Sequence, residues 1–98
     1  MNESRADKPW FCYLLQCHDD SFYVGITNDL EERLREHARG KDSEYTAKRR
    51  PVRLVWKERS SSRKEARRRE VEIKGWSRRK KLELVRENPL ASPQGKGA

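Results

Sequence analysis

The sequence predicts an α+β layer: a small three-stranded antiparallel sheet flanked by helices, in the order β-β-α-β-α-α. Three observations carry that prediction. Two β-rich runs, from Trp10 to Cys17 and from Phe22 to Thr27, flank His18-Asp19-Asp20-Ser21, which is turn chemistry, so they read as a hairpin. The alternation of Val, Arg, Leu, Val, Trp and Lys from Val52 to Lys57 reads as a third strand. Asn28 with Glu31, and Ser62 with Glu65, have the capping-box spacing that opens helices.

The elements follow in order. Residues 1–8 read as a flexible lead-in, residues 9–87 as one domain and residues 88–98, rich in Pro, Gly and Lys, as a disordered tail. The first strand is a dense apolar and aromatic run, so it is expected to be buried. The second holds Gly25 in its interior, where glycine marks a bulge or a close backbone approach. After Asn28 a helix is expected from about Asp29 to Ala38, ending near Gly40. Leu30, Arg33, Leu34 and His37 share one of its faces by i, i+3, i+4, i+7 spacing. Residues 40–51 read as a polar, basic loop. A second helix is expected from Arg63 to about Gly75, with a thin inward stripe of Ala66, Glu70 and Ile73. A third follows Ser77 as its cap, with Leu82 and Val85 facing inward.

Composition narrows the function. Of 98 residues, 41% are charged and 33% hydrophobic, so the core is small; 24 Lys and Arg against 16 Asp and Glu leave a net charge of +8. That balance favours a polyanionic partner, nucleic acid above all, over a merely soluble basic protein. The N-terminal MNESRADK has no apolar stretch, and no run reaches membrane-spanning length. The expectation is a cytoplasmic chain with no membrane partner. Cys12 and Cys17 are the two cysteines, five apart, which suits neither a zinc site nor a disulfide along one strand. They are expected to be reduced, partly buried thiols.

The stretch from Phe11 to His37 holds residues suited to phosphodiester chemistry: Tyr13 and Tyr23 for proton transfer, Arg33 as a cation, His37 one helical turn further on, and Gly25 for close approach. Arg33 and His37 lie about 6 Å apart by helix geometry. Glu70, on an inward helical stripe, is a carboxylate that needs a partner, and a metal ion or a cation would serve. Each residue also has an ordinary role: core tyrosines, a salt-bridged Arg33, a His37 favoured near a helix C-terminus, and a Glu70 paired within its helix.

The ordered set resembles the GIY-YIG endonuclease superfamily, in particular its small stand-alone bacterial members. Phe11-Cys12-Tyr13 keeps the tyrosine of the first tripeptide, and Tyr23-Val24-Gly25 matches the second. Ile26 to Leu30, Arg33 and His37 resemble the strand-to-helix segment, Tyr45-Thr46 and Arg50-Pro51-Val52 the following loop, and Arg67 to Lys81 the Glu-bearing helix with its Trp-Ser-Arg-x-Lys stretch. The resemblance spans roughly residues 9–86. It implies a phosphodiester hydrolase in which Tyr13 is the general base or its relay and Tyr23 positions water or phosphate. Which tyrosine ionises stays open. A phenol titrates near pH 10, so a tyrosine base requires a lowered pKa, which Arg33, His37 and a metal ion would supply. Arg33 would clamp phosphate. Glu70 would hold a single Mg²⁺ (or Mn²⁺) with waters and substrate phosphate. Gly25, Tyr45, Lys48 and Arg50 are the expected substrate contacts.

Basic runs at Lys48-Arg49-Arg50, Arg63-Lys64, Arg67-Arg68-Arg69 and Arg78-Arg79-Lys80-Lys81 suit a backbone-tracking surface without sequence choice. Asp42, Ser43 and Glu44 interrupt it with negative charge that would oppose DNA locally. The leading expectation is a metal-dependent endonuclease acting on DNA, structured or damaged. The alternatives are a non-catalytic nucleic-acid-binding module with the same fold, and a basic domain that meets an acidic protein partner.

Overall fold

The computed structural model describes residues 8–90 of the 98. Of the expected flexible segment, residues 1–7 lie outside the described residues, as do residues 91–98 of the expected tail. The elements are β1 (Trp10–Gln16), β2 (Phe22–Thr27), α1 (Leu30–Ala38), α2 (Glu44–Ala47), β3 (Arg53–Ser60), α3 (Arg63–Lys74) and α4 (Arg78–Glu87). The predicted order stands, with one addition: the one-turn helix α2 inside the loop 40–51.

Among the described residues the three strands form one antiparallel sheet in the order β2-β1-β3. The hairpin turn closes through Cys17 N–H to Ser21 C=O and Asp20 N–H to Cys17 C=O, both at 2.8 Å. Asp20 takes a left-handed φ of 68°, which aspartate tolerates better than most side chains. β1 lies in the middle and is covered on both sides, which is why Cys12-Tyr13-Leu14-Leu15 is an unbroken run of fully buried residues. Alternation sends Cys12 and Leu14 to one face, where they pack with Val24, Trp56 and Ile73. Burial of side chains such as Leu14 and Ile73 contributes about 1.5–3 kcal/mol each. Tyr13 and Leu15 point to the other face, toward α1 and α2.

Four side-chain caps start the helices: Asp29 accepts from the Glu32 N–H, Ser43 from Thr46, Ser62 from Glu65 and Ser77 from Lys80. Each satisfies a donor that the first helical turn leaves unpaired. The first cap is Asp29, one residue past the expected Asn28. Thr27 Oγ1 accepts the Asp29 N–H at 3.0 Å and turns the Asp29 carboxylate onto the helix start. β3 runs past Lys57 to Ser60 because Trp10, Phe11 and Cys12 offer it pairing partners there; the neighbouring strand overrides the local pattern. In α4, Leu84 and Val85 pack on the core; Leu82 is half-buried and sits outside it, contrary to the inward pairing of Leu82 with Val85.

Both cysteines are buried and free. Burial, with Glu70 and Glu58 adding to it, pushes the Cys12 thiol up to about 12. Burial also raises Cys17. Neither is a reactive thiolate. Among the described residues no helix is long and apolar enough to cross a membrane.

Candidate active site

Tyr13 pairs with Gly25 across the β1–β2 ladder. Its ring lies directly over that glycine: a Cβ on Gly25 would stand 2.5 Å from Tyr13 Oη and 2.6 Å from Cζ. The glycine is there to admit the tyrosine. The register irregularity falls between Leu14 and Leu15 on the β3 side, so no bulge explains Gly25.

The phenol meets His37 at the C-terminal end of α1. Tyr13 Oη and His37 Nε2 are 2.9 Å apart, and both residues are fully buried. The other ring nitrogen, Nδ1, lies 2.9 Å from Thr46 Oγ1, a buried hydroxyl on α2 that also has the Ser43 carbonyl within reach at 3.3 Å. A buried polar chain of this kind is stable when every member is satisfied, and here each ring nitrogen has a partner. Tyr23, half-buried, brings its ring edge-on to His37 at 5.2 Å between centroids and stacks on the exposed Tyr45 at 6.2 Å. The Arg49 guanidinium covers the far face of that stack, 3.8 Å from the Tyr45 ring centroid.

The end of α1 explains how the loop reaches this cluster. Gly40 N–H bonds to His37 C=O at 3.0 Å and Lys41 N–H to Glu36 C=O at 2.9 Å, with Gly40 at φ 77°. This is a Schellman reversal around a left-handed glycine. It turns the chain back along the helix and delivers Asp42 beside Arg33 and His37. Asp42 Oδ2 lies 3.1 Å from His37 Nε2, and Oδ1 lies 3.4 Å from Arg33 Nε. Arg33 also pairs with Glu36 at 3.3 Å and donates to the Ile26 carbonyl at 3.4 Å. Sequence reasoning took Asp42 only as a charge opposed to DNA. The signal that points to its inward role is its place two residues after a helix-terminating glycine.

The electrostatics follow from burial. Burial lifts the Tyr13 phenol well above the ordinary range; Tyr23 and Asp42 add to the effect and Arg33 only partly offsets it. The lowering that a tyrosine base requires is absent, so Tyr13 rests as a neutral phenol. Tyr23 is raised as well, by burial first, then by Asp42 and Glu70 against the Ser43 hydroxyl and Arg33. His37 is lowered: burial outweighs the attraction of Asp42, and Arg33 reinforces it. For Arg33, burial works against the charge, but Asp42, Tyr13 and Glu36 outweigh it and raise the group.

Glu70 stands apart. It lies on α3, the helix that packs on the apolar face of the sheet, and it contacts Arg67 at 3.2 Å and Lys74 at 3.8 Å. No hydrogen bond or ion pair joins it to Tyr13, Tyr23, Arg33 or His37 among the described residues, although its charge is felt at Tyr23 and Cys12. Its 10% side-chain exposure contrasts with 61% for Arg67 and 59% for Lys74, whose cationic ends are free to swing into solvent. Among the described residues no group of three or more His, Cys, Asp or Glu side chains is arranged to hold a metal ion. One sheltered hard-oxygen donor does fit a Mg²⁺ ion that keeps its waters and takes its remaining ligands from phosphate.

The expected substrate contacts divide. Tyr45 is exposed on the aromatic stack, and Lys48 is exposed at the end of α2. Arg50 is engaged within the protein: it donates to the Ala38 carbonyl at 3.2 Å and to the Ala47 carbonyl at 3.1 Å, closing the ends of α1 and α2. Arg49, named in the sequence only within the basic run 48–50, is the cation beside the stack and ties it to the hairpin turn through Asp19 at 3.1 Å.

Comparison with known proteins establishes the family. Residues 9–83 match the family described as the GIY-YIG catalytic domain. A UPF0213 protein of Staphylococcus haemolyticus is 47% identical over 79% of this chain and 94% of its own length. A UPF0213 protein of Staphylococcus aureus is 44% identical over the same shares. Two solution NMR structures are similar: the UPF0213 protein from Bacillus halodurans, at TM-score 0.55 and 42% identity over 85% of this chain and 88% of that one, and a protein from E. faecalis, at TM-score 0.59 and 36% identity over 91% and 95%. With residues 9–83 matched and a relative 47% identical over 94% of its own length, the chain belongs to the GIY-YIG catalytic domain family.

Proposed function

We propose that this chain is a metal-assisted endonuclease that hydrolyses phosphodiester bonds in DNA, on structured or damaged substrates and in the cytoplasm. The observation that carries the reading is the fully buried Tyr13–His37 contact at 2.9 Å, with Arg33 beside it. A neutral histidine against a neutral phenol is a proton relay. As a water molecule attacks phosphorus, its proton passes to Tyr13 Oη while the Tyr13 proton passes to His37 Nε2, so no standing phenolate is needed; the bond from phosphorus to the leaving sugar oxygen breaks, and that oxygen takes a proton from solvent. Arg33 neutralises the charge that develops on the phosphoryl oxygens. Tyr45, stacked on Tyr23 and flanked by Arg49, offers a sequence-tolerant surface for a base, and Lys48 a contact to the backbone. Glu70 would hold Mg²⁺ or Mn²⁺, which when bound polarises the phosphoryl group and acidifies water.

A second reading, a nucleic-acid-binding module without catalysis, is favoured by one observation: the cation beside the proposed relay, Arg33, is already paired with Glu36 and Asp42. Cleavage of labelled duplex, single-stranded, flapped and four-way DNA, in Mg²⁺, Mn²⁺ or EDTA, separates the two. The nuclease reading expects metal-dependent cutting that disappears in Glu70→Ala and Tyr13→Phe while binding is retained. Binding without cutting on every substrate would establish the module instead.

A further inference from the structure

We propose that Asp42 is an internal occupant of the phosphate position, a positioning residue that holds Arg33 and sets the proton on His37 until a substrate phosphate displaces it. The inference rests on the phosphodiester reading of the same site and adds the residue that guards it.

The geometry carries the argument. A carboxylate and a phosphate both present two anionic oxygens to a pair of donors. The two oxygens of Asp42 bridge Arg33 Nε at 3.4 Å and His37 Nε2 at 3.1 Å, beside Tyr13 Oη, where a phosphate bound by Arg33 and next to the relay would place its own. The Asp42 side chain is 15% exposed, so the pocket it fills opens to solvent. Asp42 sits in the short connection between α1 and α2, after the Gly40 reversal and before the Ser43 cap, outside any helix or strand.

The same nitrogen explains what the displacement does. His37 Nε2 has two neighbours with opposite demands: an ionised Asp42 needs Nε2 to carry a proton, whereas a donating Tyr13 hydroxyl needs its lone pair. With Asp42 in place, Nε2–H donates to the carboxylate, Nδ1 accepts from the Thr46 hydroxyl, and the Tyr13 proton has no acceptor at His37. With Asp42 displaced, Nδ1–H donates to Thr46 Oγ1, the Thr46 hydroxyl donates to the Ser43 carbonyl, and Nε2 is free for the Tyr13 proton. Thr46 has both acceptors within reach, at 2.9 and 3.3 Å, so it supports either tautomer.

The test uses the full chain and no cleavage. Inorganic phosphate is titrated into wild type and Asp42→Ala at low ionic strength, and the ring ¹⁵N signals of His37 report both affinity and tautomer. The expected result is about five- to tenfold tighter phosphate binding in Asp42→Ala, together with a shift of His37 from the Nε2–H to the Nδ1–H tautomer. Arg33→Ala in the Asp42→Ala background abolishes the gain. Glu44→Gln removes the same charge from the same segment away from the contact, and it leaves affinity within about twofold of wild type. Asp42→Asn, of equal size, repeats the affinity measurement should the alanine variant fold poorly. Unchanged phosphate affinity and tautomer, or an equal gain in Glu44→Gln, overturns the proposal. Tighter phosphate binding with no DNA cleavage by any variant leaves Asp42 as the occupant and removes the nuclease reading. Wild-type cleavage with phosphate affinity indifferent to Asp42 does the reverse.

Discussion

Cys12 and Leu14 point from β1 into an apolar layer closed by Trp56 and Ile73, whereas Tyr13, between them, points into a buried polar chain with His37 and Thr46. One strand thus serves two faces that follow different rules. The apolar face is held by area and shape, and its members are replaceable by residues of similar volume at modest cost. The polar face is held by particular atoms at particular distances, and a change of one oxygen leaves a buried partner without its hydrogen bond. Most of the apolar core lies on the first face and the proposed proton relay on the second, so substitutions on adjacent residues of β1 should separate the two.

The sharpest separation is Tyr13→Phe. It keeps the ring over Gly25 and removes the hydroxyl next to His37. Cleavage is expected to fall by about 10²–10⁴-fold, while the unfolding free energy falls by about 1–3 kcal/mol, the cost of leaving a buried partner without its hydrogen bond. Comparable losses in both quantities would mean that Tyr13 is chiefly structural. Leu14→Ala, one residue along, is expected to reverse the pattern. It should cost about 2–5 kcal/mol of stability and leave the cleavage rate of the folded fraction near that of wild type.

The two faces also differ in how far the sequence revealed them. The apolar face was legible because its signal is periodic: alternation along β1 and β2, and Ala66, Glu70 and Ile73 at helical spacing on α3, place most of the core without any knowledge of contacts. On the polar face, Tyr13, Tyr23, Arg33 and His37 were legible through their order along the chain. Asp42, Thr46 and Arg49 were not, because they reach the site through the Gly40 reversal and the one-turn helix α2, whose direction no local periodicity encodes. For the same reason the sequence could not show that Arg50 also closes the ends of α1 and α2. Gly25 was flagged correctly as a close approach, but what approaches is a side chain from the paired strand, which only the register identifies.

That register gives a smaller but distinctive effect. Gly25→Ala brings a methyl group to within 2.6 Å of the Tyr13 ring, and Tyr13 is fully buried, so the ring must tilt or the strands must part. Overpacking of this kind costs about 1–3 kcal/mol. If the tilt pulls Oη away from His37, cleavage falls with stability. The double variant Gly25→Ala with Tyr13→Phe then loses less than the two separate losses combined, because both act on one contact. Strict additivity in that cycle would detach Gly25 from the relay.

The gentlest probe of the comparison is pH, because the buried histidine that titrates lies on the polar face. His37 faces Tyr13, Tyr23 and Thr46 within the cluster, with Asp42 and Arg33 as the charged neighbours. Burial holds its folded-state pKa below the ordinary 6.5. Between that lowered value and 6.5 the unfolded chain binds a proton that the folded chain does not. The contribution of a neutral His37 is therefore fully present above about pH 6.5 and is lost as pH falls through the folded value. The activity limb has the same sign, since only unprotonated His37 accepts the Tyr13 proton, so the rate should rise as pH climbs through the lowered folded value and then level. Chemical denaturation measured between pH 5 and 8, beside His37→Gln, checks the stability part: the acid-side decline should shrink in the variant. An undiminished decline would assign it to carboxylates elsewhere, and a wild-type rate flat across the window would take His37 out of the relay while leaving Tyr13→Phe to decide the role of the phenol by itself.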